Sequence, residues 1–166
     1  MENTVRILDK NDGRRLGVVG GNYRVIVDGK DTDGAYAVIE MLVPPGGGPP
    51  PHSHPLTQET FYVLAGEVTF KTEAGHQVVQ QGGFVVIPFG GAIHCFQNTS
   101  GATACLLCTV MPAGLEEVFQ AIGTPVAPGE FLPVPELTPD RKALLQRLDE
   151  AHQQQTYPRD YLDLKE

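Results

Sequence analysis

Apolar and polar positions along the first two thirds of the chain alternate in short runs, none longer than a strand needs. The clearest runs cover residues 23–27, 35–43, 59–64, 67–71, 84–87, 93–97 and 104–110. They are rich in Val, Ile, Phe, Tyr and Thr, the residues that suit a pleated, half-buried surface. Turn residues separate them: Asn11-Asp12-Gly13, Gly20-Gly21-Asn22, Asp31 to Gly34, Gly46-Gly47-Gly48, Glu73-Ala74-Gly75, Gln81-Gly82-Gly83 and Thr99-Ser100-Gly101. These residues adopt or stabilise turn conformations at little cost. Short strands punctuated so regularly predict an all-β sandwich or barrel.

The period changes after Met111. Leu115, Val118, Phe119 and Ile122 form the i, i+3, i+4, i+7 stripe of a helix over residues 114–122, with Gly123 as its stop. Residues 123–139 are Pro-rich and read as an extended segment lying on the surface. Thr138 followed by Pro139 predicts an N-cap and first helical residue, and Leu144, Leu145, Leu148 and Ala151 give this second helix an apolar stripe. Gln153 to Gln155 and residues 157–166 read as a polar tail.

A chain of 166 residues suits one domain, with a barrel core at about 20–111 and a C-terminal extension at about 112–166. The abundance of Gly (19) and Pro (14) fits many turns rather than low complexity. The net charge of −8 and the absence of a basic run exclude a nucleic-acid-binding surface. The polar opening residues and the lack of any long apolar run predict a cytoplasmic protein with no membrane partner. Three cysteines, Cys95, Cys105 and Cys108, are too few and too odd in number for a disulfide framework. Cys105 and Cys108 have redox-motif spacing. In a strand, however, residues three apart face opposite ways, so they read as small apolar side chains.

Only five histidines occur, and three fall in one pattern. Gly46 is followed by His52-Ser53-His54, then Glu59, then Gly66. Further on, Gly82 is followed by Pro88, the pair Gly90-Gly91, His94 and Asn98. His52 and His54, two apart on a strand, share a face. If Glu59 points inward, so do Phe61 and Val63, and Phe96 shares the face of His94. Imidazoles from His52, His54 and His94 and the Glu59 carboxylate then converge inside the barrel. Such N and O donors suit a divalent first-row metal with positions left open for a substrate. Phe61, Val63 and Phe96 are the candidate lining of an apolar pocket beside it. No second carboxylate, Lys or Cys is placed beside the metal by the pattern. Arg24 and Glu40 read as charges on the outer face of strands, and Asn98 as a residue that orders a turn.

These two stretches, residues 46–66 and 82–98, resemble the paired signature motifs of the cupin superfamily. The extra residue between Pro88 and His94 departs from the second motif. The resemblance implies a double-stranded β-helix, or jelly-roll barrel, with metal ligands at His52, His54, Glu59 and His94. The short spacing between the motifs is similar to compact bacterial cupins, quercetin-dioxygenase-like proteins among them. It implies a divalent transition metal (Fe, Mn, Ni, Co or Zn) and dioxygenase chemistry on a small apolar or aromatic molecule, with Glu59 moving between ligand and base. A non-catalytic ligand-binding or sensing cupin and a metal-dependent isomerase or lyase are the alternatives. The apolar C-terminal helices and open sheet edges predict a homodimer.

Overall fold

A computed structural model describes residues 4–163 of the chain. The last part of the expected polar tail and the first three residues lie outside the described range. Twelve strands and two α-helices follow in order: β1 (Arg14–Val18), β2 (Gly21–Val27), β3 (Ala37–Val43), β4 (His52–Ser53), β5 (Gln58–Ala65), β6 (Glu67–Thr72), β7 (Gly75–Gln80), β8 (Phe84–Ile87), β9 (His94–Gln97), β10 (Ala104–Met111), α1 (Leu115–Ile122), β11 (Thr124–Pro125), α2 (Pro139–Ala151) and β12 (Gln155–Thr156).

The strands form two antiparallel sheets. One holds seven strands in the order β11-β1-β2-β3-β10-β5-β8, and the other holds five in the order β12-β4-β9-β6-β7. All seven apolar runs read from the sequence are strands, displaced by two residues at most. Five strands lie outside those runs. β4 and β11 are two residues each, and β1, β7 and β12 carry Arg14-Arg15, His76-Gln77 and Gln155. The sheet therefore begins before residue 20, and the supposed polar tail is partly strand.

Alternation along the strands sets what faces inward. In β3 every second residue, from Ala37 to Val43, is fully buried, and β10 repeats the pattern from Ala104 to Val110. Their inward side chains meet Phe61, Val63, Val68, Phe70 and Phe96 between the sheets. Phe61, Phe70 and Phe96 form an aromatic cluster with ring centroids 5.3 to 5.7 Å apart. Each such ring contributes roughly 2–3 kcal/mol by burial.

Arg24 and Glu40 lie opposite each other on neighbouring strands and pair at 3.1 Å on the outer face. Asn98 is fully buried. Its Nδ2 donates to Val43 O and Ala102 O, and its Oδ1 accepts from Ser100, so it holds the turn after β9.

The stripe of α1 packs as its pattern requires, whereas on α2 Leu144, Leu145 and Leu148 are only half-buried and Ala151 is exposed. Leu115 and Val118 of α1 are buried, and Phe119 meets Tyr23 edge-on at 5.3 Å. Glu116 is buried as well, although a helical carboxylate reads as exposed. It accepts from the backbone N–H of Gly29 and Gly114, tying two loops together. Thr138 caps α2, its Oγ1 accepting from Arg141 N at 3.3 Å.

Candidate metal centre

The two sheets deliver the four candidate ligands from opposite sides. His52, His54 and His94 come from β4, its exit and β9 in the five-stranded sheet, while Glu59 stands in β5 of the facing sheet. His52 lies directly opposite His94 on one side and Thr156 of β12 on the other. Two flanking strands thus fix a β4 strand only two residues long.

The loop before β4 depends on Gly48. Its φ is +144°, and a Cβ there would meet Phe96 O at 2.0 Å. A side chain at this position would push the His52 strand off β9. Gly90 has a φ of +105°, and its N–H donates to Pro55 O at 2.9 Å. Gly91, with a φ of +80°, continues this turn toward His94.

The imidazoles are oriented by their outer nitrogens. The Nδ1 atoms of His52, His54 and His94 bond the carbonyls of Pro50, Thr57 and Ala92 at 3.0, 3.0 and 2.8 Å. A carbonyl only accepts, so each Nδ1 carries the proton and each Nε2 lone pair is left facing the centre. His54 Nε2 and His94 Nε2 lie 3.1 and 3.4 Å from Glu59 Oε2. One donor atom from each of the four residues falls within 4.8 Å of all the others. A cation bound at roughly 2.0–2.2 Å by N and O ligands needs a cluster of about this span. The donor set therefore fits a divalent transition ion.

Burial and mutual contact set the protonation of these groups. Desolvation raises the Glu59 carboxyl, but in the metal-free cluster the hydrogen bonds it receives from His54 and His94 when their Nε2 atoms also carry a proton outweigh it and hold it below its ordinary value. Burial lowers His54, while its bond to Glu59 raises it, with a net rise. Burial, with the charge of His94 adding to it, outweighs the opposing effects of Glu59 and the Pro50 carbonyl on His52, which is pushed down to about 4. A neutral imidazole is the ligating form.

One neighbour escaped the sequence reading. Cys108 of β10 points inward and its Sγ lies 3.2 Å from Glu59 Oε1. Burial and the adjacent carboxylate push this thiol well up, so it is a donor and not a thiolate. The expectation that no cysteine stands beside the ligands is corrected here. Alternation separates Cys108 from the outward-facing Cys105, and Val110 opposite Glu59 brings β10 alongside. Tyr23 is also close enough for Glu59 and Cys108 to add to the effect of burial, which together raise its phenol pKa.

A cavity of about 700 Å³ opens from this cluster toward the helices. Its inner end is formed by His52, Glu59, Phe61, Phe96, Met41 and Tyr23. Of the expected lining, Phe61 and Phe96 are present. Val63 is not: it is fully buried in the core, one step further along β5, where its backbone bonds the Gly82-Gly83 turn. The outer wall comes from α1, the Pro-rich segment around Val134, α2 and the residues around β12.

Residues 39–110, which contain all four candidate ligands, match the family model of the cupin domain. Those residues form a cupin domain within the chain. This cupin is 28% identical over 119 residues to quercetin 2,3-dioxygenase of Bacillus subtilis (strain 168), covering 72% of the present chain and 35% of the enzyme. The cupin thus spans about a third of the length of that relative. Among solved structures it is similar to a sugar phosphate isomerase of the cupin superfamily from Silicibacter pomeroyi, with a TM-score of 0.57 and 22% identity over 64% of this chain and 75% of that one. It is also similar to KdgF from Halomonas sp., with a TM-score of 0.60 and 14% identity over 69% of this chain and 99% of that one. At such identities these two likenesses show the shared barrel. No helix among the described residues is long and apolar enough to cross a membrane.

Proposed function

We propose that this cupin is a metal-dependent enzyme with dioxygenase-like chemistry on a small apolar or aromatic molecule. One observation carries the reading: three outward-anchored histidines and one carboxylate converge at the inner end of an apolar cavity. His52, His54, Glu59 and His94 hold the metal. A divalent transition ion (Fe, Mn, Ni, Co or Zn) supplies Lewis acidity there and, where it is redox-active, the means to engage dioxygen.

The chain's own residues do the rest. Tyr23, Met41, Phe61 and Phe96 exclude water from the inner cavity and orient an apolar ring. Glu59 Oε2 faces the cluster and accepts the proton of a substrate hydroxyl, while the Cys108 thiol stays on Oε1 and keeps the carboxylate from turning. The likeness to a quercetin 2,3-dioxygenase supports this chemistry for the domain.

The test is oxygen uptake by protein loaded separately with Fe, Mn, Co, Ni or Zn and offered flavonols and 1,3-diketones. Uptake dependent on Glu59 and on one of the metals is the expected result. No uptake with any metal removes the dioxygenase reading. Three free cysteines support a reducing compartment such as the cytoplasm. Exposed Tyr62, Leu64, Phe84 and Val86 on one sheet face support a homodimer, which light scattering at micromolar concentration checks.

A further inference from the structure

The cavity has two unlike regions. Near the metal ligands it is closed and apolar, and Glu59, Phe61 and Phe96 are each no more than 3% exposed. Elsewhere its lining carries Arg141, Lys142 and Arg159. Arg141 is half-buried, and Lys142 and Arg159 are exposed. No carboxylate among the described residues lies within ion-pair distance of any of the three. Asp149 is on the same wall, but its Oδ1 accepts from Gln154 Nε2 at 3.2 Å and burial raises its pKa.

This grouping runs against the rest of the chain. The net charge is −8, so three unpaired cations in the lining of one cavity depart from the prevailing sign. Arg141 stands in the first turn of α2, where the helix dipole disfavours a cation. A residue that breaks a local preference with no compensating ion pair points to a role outside folding. The same wall holds a second unsatisfied group. Gln154 Oε1 is buried and has no hydrogen-bond partner, and a buried amide oxygen left unpaired is costly.

We propose that the cavity takes an amphiphilic anion: an aryl or alkyl carboxylate whose apolar body lies along Phe119, Val118 and Tyr23. Its negative group is held by Arg141, Lys142 and Arg159, and its far end faces Glu59. The inference deepens the reading given above and rests on it for the chemistry, though not for binding.

The experiment uses the full chain, with and without chelated metal, and two fluorescent probes of one skeleton. These are 1-anilinonaphthalene-8-sulfonate, an anion, and N-phenyl-1-naphthylamine, its neutral counterpart. The anion is expected to bind at least tenfold more tightly at low salt, and added salt should erode the difference. Decanoate should displace it where decanol does not. The combined change Arg141→Gln, Lys142→Gln and Arg159→Gln should weaken the anion about tenfold or more and the neutral probe less than twofold, with metal content unchanged. Should the triple variant unfold, Lys142→Gln and Arg159→Gln at exposed positions each should cost the anion about threefold. Equal affinity for the two probes, or wild-type anion binding by the variants, overturns the proposal. Anion binding that survives where oxygen uptake fails removes the dioxygenase reading alone. The reverse result removes only the anion site.

Discussion

The thiol of Cys108 donates to Glu59 Oε1 at 3.2 Å while His54 and His94 address Oε2 of the same carboxylate. The two oxygens therefore have separate duties: one is pinned by the protein wall and the other faces the metal position. Carboxylate ligands fixed in this way keep one lone pair aimed at the cation. Cys108→Val removes the donor and keeps most of the volume, so metal affinity should fall roughly tenfold or more. Cys108→Ser restores a donor and should recover part of the loss. A chelator-competition titration measures both.

The histidines themselves carry a larger effect. His52→Ala and His94→Ala each delete a donor whose outer nitrogen is already committed to a backbone carbonyl. Elemental analysis of the purified variants should show bound metal lost. Excess metal should stabilise the parent chain by roughly 2.7 kcal/mol at a hundred times its dissociation constant. The same addition should leave the melting of either variant unmoved.

Glu59→Gln preserves shape and removes charge. The amide cannot supply an anionic ligand, and its Nε2, if turned inward, confronts the histidine nitrogens. Weaker metal binding and loss of any oxygen uptake are expected, with the far-ultraviolet circular dichroism of the fold retained.

Gly48→Ala tests the approach to the site. The added carbon would overlap Phe96 O at a φ of +144°. We expect a cost of about 2 kcal/mol or more in denaturant unfolding, with loosened metal binding because His52 follows on the same segment.

The cysteines should separate by reactivity. Burial, with the Glu40 charge adding to it, pushes Cys105 up to about 11, despite the two neighbouring arginines. At pH 8 only about one such thiol in a thousand is ionised, so it should react far more slowly than free cysteine. Its rate should climb with pH until about 11. Buried Cys108 should stay silent until the barrel unfolds. Timed reaction with a disulfide reagent at several pH values resolves the two.

The candidate ligands were legible because their pattern is local. His52 and His54 sit two residues apart, Glu59 lies at the start of the next strand, and alternation then fixes Phe61 on the same side. Cys108 was not legible, since its meeting with Glu59 depends on the register between β5 and β10 across 49 residues. Val63 obeyed alternation but sat beyond the reach of the cavity, which a facing rule cannot measure. β12 lacks both length and apolar character; its pairing with β4 comes from a partner about a hundred residues away. The cationic part of the lining was missed for a related reason. Arg141 and Arg159 are unremarkable in sequence and join one cavity lining only in the folded chain.

The pairing of Thr156 with His52 ties the far end of the polypeptide to the first ligand. Shortening the protein after Ala151 would leave all four metal-binding side chains in the molecule. It would also take away the rung that steadies His52 and the Gln154–Asp149 contact on the cavity wall. A fragment trimmed to the barrel motif is therefore expected to be a different receptor from the whole, with the same four candidate ligands but an open, less discriminating mouth.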